Sequence, residues 1–376
     1  MVDIGELLAW MALAEIGRGG TQGWLRAAAG AGSARALFGA GCRQLRELGL
    51  SKRAAEHVVR FDDWERLQRH GERCRALGLA LATPADEAYP RGLGSIHDPP
   101  LLLYYRGRPP ASFEPAVAIV GSRRATAYGR RVAKGYARRL AGRGVTVVSG
   151  LAVGIDAAAH TGALEAGATV AVVASGLDRV YPRQHRGLLE RIAKEFCVLG
   201  EYAPGVPPLA HHFPVRNRII TGMTSATIVV EASERSGSLV SARSALDQGR
   251  DVYAVPGNVD SPVSKGTNAL IRDGAVPLAG YEDLDFAFGL SRTHRDGARG
   301  RAGPACRKDA ETQPAARGDA GLVLRTLESS PKHVDAIVEE TRLDGARVLE
   351  LLTGLELEGL AERTSSGGYA RAGDDF

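Results

Sequence analysis

From residue 115 to about residue 285, continuous apolar runs alternate with amphipathic stretches. The runs are Ala116–Val120, Val145–Ser149, Thr169–Ala174, Phe196–Leu199, Thr227–Glu231 and Val252–Val255. They are short, rich in Val and Ala, and show no in-out alternation. That pattern predicts strands buried on both faces of a parallel sheet. Between them, Val132, Tyr136 and Leu140 recur at i, i+4 and i+8, the spacing of one helix face. Strand-helix alternation predicts an α/β fold with a doubly wound, mostly parallel sheet.

The flanks read differently. Residues 1 to 75 carry apolar positions at helical spacing (Leu7, Leu8, Met11, Leu13, Ala14), broken by turns at Gly17-Arg18-Gly19-Gly20 and Gly30-Ala31-Gly32. They predict a small helical domain of the helix-hairpin-helix or SAM-like kind, or a plain packing domain. Residues 76 to 289 form the sheet domain, with a Pro-rich connector at 76 to 110 as its lead-in. Residues 290 to 318, rich in Arg, Gly, Ala and Pro without an apolar period, predict a flexible linker. Residues 319 to 376 predict three helices, near Leu322–Leu327, Val334–Glu340 and Asp344–Leu357. Two short strands around a Ser-Gly turn follow, completing a winged helix. Its third helix carries Asp344, Glu350, Glu356 and Glu358 against one base, Arg347. Such a helix suits a protein-binding or weak DNA-binding role better than major-groove reading.

Charge sharpens the picture. The net charge is +5, and its distribution says more than its total. No acidic residue occurs between Pro115 and Ile155, where Arg123, Arg124, Arg130, Arg131, Lys134, Arg138, Arg139 and Arg143 lie. The segment is either a solvated helix face or an anion-attracting one. Cys42, Cys74, Cys197 and Cys306 form no CxxC pair, so neither a zinc site nor a disulfide scaffold is expected. The apolar run Leu7 to Ile16 is short, contains Glu15 and follows Asp3 and Glu6. It predicts a core helix, neither an export signal nor a membrane span. A cytoplasmic location is the expectation.

In an open parallel sheet the loops after the strands gather at one edge. Three of those loops have phosphate-holding chemistry. Gly121-Ser122-Arg123-Arg124 follows the first run, Ser149-Gly150-Leu151-Ala152-Val153-Gly154-Ile155-Asp156 follows the second, and Ser236-Gly237-Ser238 opens a later helix. Glycine lets an anion approach the backbone, and a following helix aims free N–H groups at it. No GxGxxG or GxxxxGK[ST] string occurs, so dinucleotide binding and P-loop hydrolysis lack support. A fourth element, Phe213-Pro214-Val215-Arg216-Asn217-Arg218, puts an aromatic ring beside two guanidinium groups. A single strand needs both, for base stacking and for phosphate pairing. The alternative is that Phe213 anchors a helix in the core.

These residues, in this order, resemble the DprA/Smf (DNA-processing protein A) family. The resemblance rests on the strings above together with Ala159-His160, Tyr181-Pro182-Arg183, Glu201-Tyr202, Val230-Glu231-Ala232, Leu239, Ala254-Val255-Pro256-Gly257, Lys265-Gly266-Thr267-Asn268 and Gly274-Ala275. It spans about residues 80 to 280. It implies an extended Rossmann-like fold and a single-stranded-DNA-binding protein with no known enzymatic activity and no cofactor. Such a protein protects incoming strands in natural transformation, helps load RecA recombinase and acts as a homodimer. Carried over, Arg123 would bind phosphate, and Arg183, Phe213, Arg216 and Arg218 would complete the groove. Ser122, Asn217, Ser236 and Ser238 would lie at the same site, and Gly121, Gly150, Gly154 and Gly237 would shape its loops. Asp156 and Asn217 would hold loops and caps. His185 and Thr267 stand where relatives more often have Asn and Cys. His211-His212 would either tune binding with pH or be ordinary loop histidines.

The rival reading is a nucleotide enzyme of the phosphoribohydrolase (lysine-decarboxylase-like) type. Its PGGxGTxxE loop corresponds to Glu234-Arg235-Ser236-Gly237-Ser238-Leu239-Val240-Ser241, which lacks the terminal Glu. Glu231 would then be the candidate general base, unless it is a buried structural carboxylate.

Overall fold

The computed structural model describes residues 3–17, 20–290, 319–327, 332–358, 360–363 and 368–371. Arg18-Gly19, residues 291–318 of the expected linker, Cys306 and the turn of the C-terminal hairpin lie outside them. The chain forms two compact units, Met1–Arg292 and Thr293–Phe376.

Nine strands make the sheet of the first unit: β1 (Ala80–Ala82), β2 (Leu103–Gly107), β3 (Ala116–Val120), β4 (Thr146–Ser149), β5 (Thr169–Val173), β6 (Cys197–Gly200), β7 (Ala226–Val229), β8 (Asp251–Ala254) and β9 (Val276–Pro277). Their order is β1-β2-β6-β5-β4-β3-β7-β8-β9. From β6 to β9 every pairing is parallel, while β1 and β2 add antiparallel at one edge. The six apolar runs are strands β3 to β8 within a residue or two. The predicted doubly wound, mostly parallel sheet is what the chain forms.

Strand burial explains the missing alternation. Every residue of β3, β4, β5, β6 and β7 is buried, because helices cover both faces. Successive side chains still point to opposite sides. Ala116, Ala118 and Val120 join Val148, Val170, Val172 and Leu199 under the helices His212–Gly222 and Gly237–Asp247. Val117 and Ile119 instead join Val147 and Ile228 under Ala127–Gly142 and Ile155–Leu164.

The Pro-rich connector is more ordered than its composition suggests, since it contains β1 and β2. The run Leu101-Leu102-Leu103-Tyr104-Tyr105 follows Pro99-Pro100 directly, and proline at a strand's start removes no ladder bond. The N-terminal helices, from Ile4–Ile16 to Trp64–Ala76, bury Trp10, Leu13, Trp24, Leu37 and Leu45 together. They also share a core with the sheet unit, where Met11, Leu67 and Cys74 pack with Leu151, Val173 and Val198. Cys42, Cys74 and Cys197 are free. Among the described residues no helix is long and apolar enough to cross a membrane.

The second unit has helices Asp319–Thr326, Val334–Thr341 and Gly345–Leu357, followed by β10 (Ala361–Arg363) paired antiparallel to β11 (Tyr369–Arg371). Its core gathers Val323, Leu327, Ile337, Val348, Leu352, Leu355 and Tyr369. The predicted winged helix is present. The base of its third helix, Arg347, donates to Glu350 at 2.8 Å and lies 3.7 Å from Asp319. These carboxylates offset its charge.

The contact between Ala127–Gly142 and Ile155–Leu164 makes a direct test of packing. A Cβ at Gly162 would overlap the Lys134 carbonyl oxygen. Alanine ordinarily gains up to about 1 kcal/mol over glycine within a helix, whereas overpacking costs about 1–3 kcal/mol. The clash with backbone wins, so Gly162→Ala lowers the urea midpoint. Gly187→Ala, in open space on the helix Arg186–Glu195, leaves the midpoint unchanged or raises it.

Candidate nucleic-acid interface

The sheet order opens the site. From β3 the chain proceeds outward through β4, β5 and β6, and from β7 it proceeds the other way through β8 and β9. The loops after the paired strands β3 and β7 therefore diverge, leaving a crevice at a topological switch point. A cleft of about 630 Å³ occupies it, lined by Gly121, Ser122, Arg123, Arg124, Asp156, Phe213, Arg216, Asn217, Ser236, Gly237 and Ser238, among others.

The first wall is fixed by backbone bonds. Ser122 N–H donates to the Glu231 carbonyl at 2.7 Å, and the Ser122 hydroxyl accepts from Arg124 N–H at 3.0 Å. The Ser122 carbonyl accepts from Ile155 N–H at 3.2 Å. Gly154, at φ +86°, passes so close that a Cβ would overlap the same carbonyl. Only glycine meets both conditions. Leu151 takes φ +59°, uncommon for such a side chain. His185 Nδ1 donates to its carbonyl at 2.8 Å, which gives His185 its role.

The floor is Arg216. Its side chain is buried, and Nη1 donates to the carbonyls of Gly150, at 2.6 Å, and Val172. The guanidinium sits against Gly150 where a Cβ would be, so this glycine admits the arginine. Burial pulls the Arg216 pKa down to about 10, opposed by the nearby Asp156 carboxylate. It stays cationic at neutral pH. Burial pushes Asp156 above the usual carboxylate range, opposed first by Arg216. The Arg216 guanidinium and the Asp156 carboxyl sit in each other's field beneath the cleft.

Phe213 lies one turn before Arg216 on the same helix, half-buried at the mouth. The Arg123 guanidinium carbon is 4.6 Å from its ring centroid and that of Arg216 is 5.9 Å away. Tyr181, itself 46% exposed, packs edge-on against it with centroids 5.7 Å apart. Arg123 and Arg124 are exposed. On the far wall Ser236 caps the helix Gly237–Asp247, its hydroxyl 2.7 Å from that of Ser238.

Not every expected residue joins the cleft. Gly150 and Gly154 support it from behind. Arg183 is exposed at the start of the short 3-10 turn Arg183–His185, two residues past Tyr181, and does not line it. Arg218 departs most from expectation. Instead of facing an anion it donates to Glu201 at 2.7 and 2.9 Å and lies 3.4 Å from Asp98. Two helical positions turn a side chain through about 200°, so Arg216 and Arg218 face opposite ways. Burial raises the Glu201 carboxyl, and Arg218 opposes that rise. Ser233 and Pro262, not named from the sequence, line the cleft together with Ser241, and Tyr181 borders Phe213. Tyr181 had a signal: an aromatic beside Pro182-Arg183.

Glu231 is committed elsewhere. Its carboxylate accepts from Thr126 N–H at 2.9 Å and Thr126 Oγ at 2.5 Å, fixing the cap of the helix Ala127–Gly142. His212 is buried, stacks on Tyr202 at 3.9 Å and is held below the usual histidine range by burial. It is therefore neutral near pH 7. Among the described residues no three His, Cys, Asp or Glu side chains gather as metal ligands would.

Comparison with known proteins shows the family. The family model of DNA recombination-mediator protein A matches residues 80–287, and that of the DprA winged helix domain matches residues 307–367. The chain belongs to the DprA family. It is 42% identical over 206 residues to DNA processing protein DprA of Streptococcus pneumoniae, covering 54% of this chain and 73% of that protein. A putative DprA of Mycobacterium tuberculosis is 39% identical over 322 residues, covering 80% and 77%. Among solved structures, DprA of S. pneumoniae superposes with TM-score 0.64 at 33% identity, covering 76% of this chain and 98% of that one. DNA processing protein A of Helicobacter pylori, described for its single-stranded DNA binding mode, gives TM-score 0.51 at 30% identity, covering 56% and 96%.

Two arginines of the DprA-family cleft should separate cleanly by stability. Arg216→Ala strips the Gly150 and Val172 carbonyls of their donor and leaves Asp156 buried without its counter-charge. A loss of about 3 kcal/mol or more is expected. Arg123→Ala removes an exposed side chain and should change stability by no more than about 0.5 kcal/mol. Urea denaturation of both variants checks the contrast.

Proposed function

We propose that this chain binds single-stranded DNA across the switch-point cleft. Phosphates pair with Arg123 and Arg124 and approach the Ser122 and Ser236–Ser238 loops, while bases stack at Phe213. The observation that carries the reading is the half-buried Phe213 ring at the cleft mouth with the Arg123 guanidinium 4.6 Å from its centroid. Every base offers a π face, so ring and guanidinium together suit a flexible strand of any sequence. In a duplex those faces are stacked on one another. The single-stranded DNA binding described for the H. pylori relative supports the same reading.

In this reading Gly121, Gly150, Gly154 and Gly237 shape the walls, Arg216 and Asn217 hold the floor, and Arg183 extends the rim beyond Tyr181. Arg218 acts indirectly, by tying the helix His212–Gly222 to Asp98 and Glu201. The role involves no catalytic step, since Glu231 is spent on a helix cap and Asp156 is buried over the floor arginine. Membership of a recombination-mediator family supports the wider role: protecting incoming strands in natural transformation, handing them to RecA recombinase and working as a homodimer in the cytoplasm. The helical front (1–75), the sheet domain (76–289) and the winged helix (319–376) joined by 290–318 serve as its working parts.

Fluorescence anisotropy with labelled oligo-dT and a matched duplex tests the proposal. The single strand should bind more tightly, with a log–log salt slope of about −0.7 per phosphate contact. Arg123→Ala should weaken it about tenfold or more and reduce the slope's magnitude by about 0.7. Equal affinity for both ligands, or a salt-independent signal, would sink the reading. Removing residues 320–376 should leave the oligo-dT affinity within about twofold, because Arg347 is already paired with carboxylates.

A further inference from the structure

We infer that the helix Ala127–Gly142 carries a second base-stacking station, built from Tyr128 and Arg131, which takes the DNA strand as it leaves the cleft past Arg124. The inference rests on the single-strand reading of the cleft and extends it. It also gives a use to the acid-free basic segment, most of which lies outside the cleft.

Placement is the first support. Glu231 accepts Ser122 N–H through its carbonyl and Thr126 through its carboxylate. One residue therefore fixes both the cleft wall at Ser122 and the first turn of the helix. Thr126 Oγ in turn accepts from Gly129 N–H at 3.0 Å. Tyr128 and Arg131 are thus held on rigid backbone four and seven residues beyond Arg124, which lines the cleft.

Chemistry is the second. Tyr128 is 40% exposed although it is a large aromatic residue, and the Arg131 guanidinium carbon lies 5.9 Å from its ring centroid. Three helical positions apart, the two share a face. The pair repeats the arrangement of Phe213 and Arg123 at the cleft. Arg130 stands beside it, anchored to the Ala125 carbonyl at 2.5 Å. Further along, Lys134 is paired with Glu165 at 2.9 Å, so the positive field is strongest at the end nearest the cleft. A polyanion fits this surface by charge, and the exposed ring favours a strand with unstacked bases.

The test compares short and long ligands on the full chain. Oligo-dT of about six nucleotides fills only the cleft, while about twenty nucleotides reach the helix. Tyr128→Ala should weaken the long oligonucleotide about fivefold and leave the short one unchanged. Tyr128→Phe, which keeps the π face, should bind both as the parent does. Arg131→Ala should reduce the salt slope by about 0.7 for the long ligand only. Wild-type binding of the long oligonucleotide by Tyr128→Ala and Arg131→Ala, with Arg123→Ala defective on both lengths, would overturn the station and leave the cleft reading standing. Equal loss on both lengths in Tyr128→Ala would also overturn it. Wild-type binding by Arg123→Ala on both lengths would remove the cleft reading and the station with it.

Discussion

The buried guanidinium of Arg216 holds the cleft together. It joins the Gly150 carbonyl after β4 to the Val172 carbonyl of β5 and sits in the field of Asp156 on the helix between those strands. Isolated burial of such a charge would cost several kcal/mol. Two main-chain acceptors and a carboxylate offset that cost, and together they leave the helix His212–Gly222 one azimuth. Phe213, a single turn earlier, is then aimed at the mouth. Arg123 and Tyr181 pack on a ring whose position was set from beneath.

Much of this architecture can be read from residues in order. Strands without alternation mean a two-faced sheet, and glycine-bearing turns after them mean loops at one edge. The clustering of Gly121, Phe213 and Ser236 at one cleft follows from those two facts once the strand order is known. Strand order is where sequence reasoning stops, because pairing depends on contacts between residues far apart in the chain. The division of labour between Arg216 and Arg218 was hidden for a related reason. Both are arginines in one motif, and only the helix azimuth decides that one meets carbonyls and the other meets Glu201 and Asp98. The connector misled through composition: its prolines cluster just ahead of Leu101–Tyr105, where they begin an edge strand instead of preventing one.

The two units use charge in different ways. In the sheet unit the basic segment from Pro115 to Ile155 contains no acid of its own; Arg123 and Arg124 line the cleft, while Lys134 and Arg139 pair with Glu165 and Asp285. In the winged helix, each charge of the third helix meets an opposite one or faces solvent among other acids, as Arg347 does with Glu350 and Asp319. A helix this acidic gains little from a phosphate backbone, whose pull depends on unpaired cations.

The electrostatics of the cleft also say what size of ligand it suits. Arg216 is buried and spent on main-chain carbonyls in the floor, so attraction for an anion would come from Arg123 and Arg124 at the exposed rim. There water keeps the effective dielectric high, and a charge pair at 4 Å is worth between about 1 and 4 kcal/mol before side-chain ordering is subtracted. One phosphate held that way stays bound only weakly, near the millimolar range. If the cleft takes a strand as proposed, affinity comes from repetition: several phosphates, each with a rim cation, and several bases, each against an aromatic face. A surface built like this selects for polymer length and for unpaired bases far more than for the identity of any single nucleotide. In the proposed reading, the ring and guanidinium pairs Phe213–Arg123 and Tyr128–Arg131 supply that repetition.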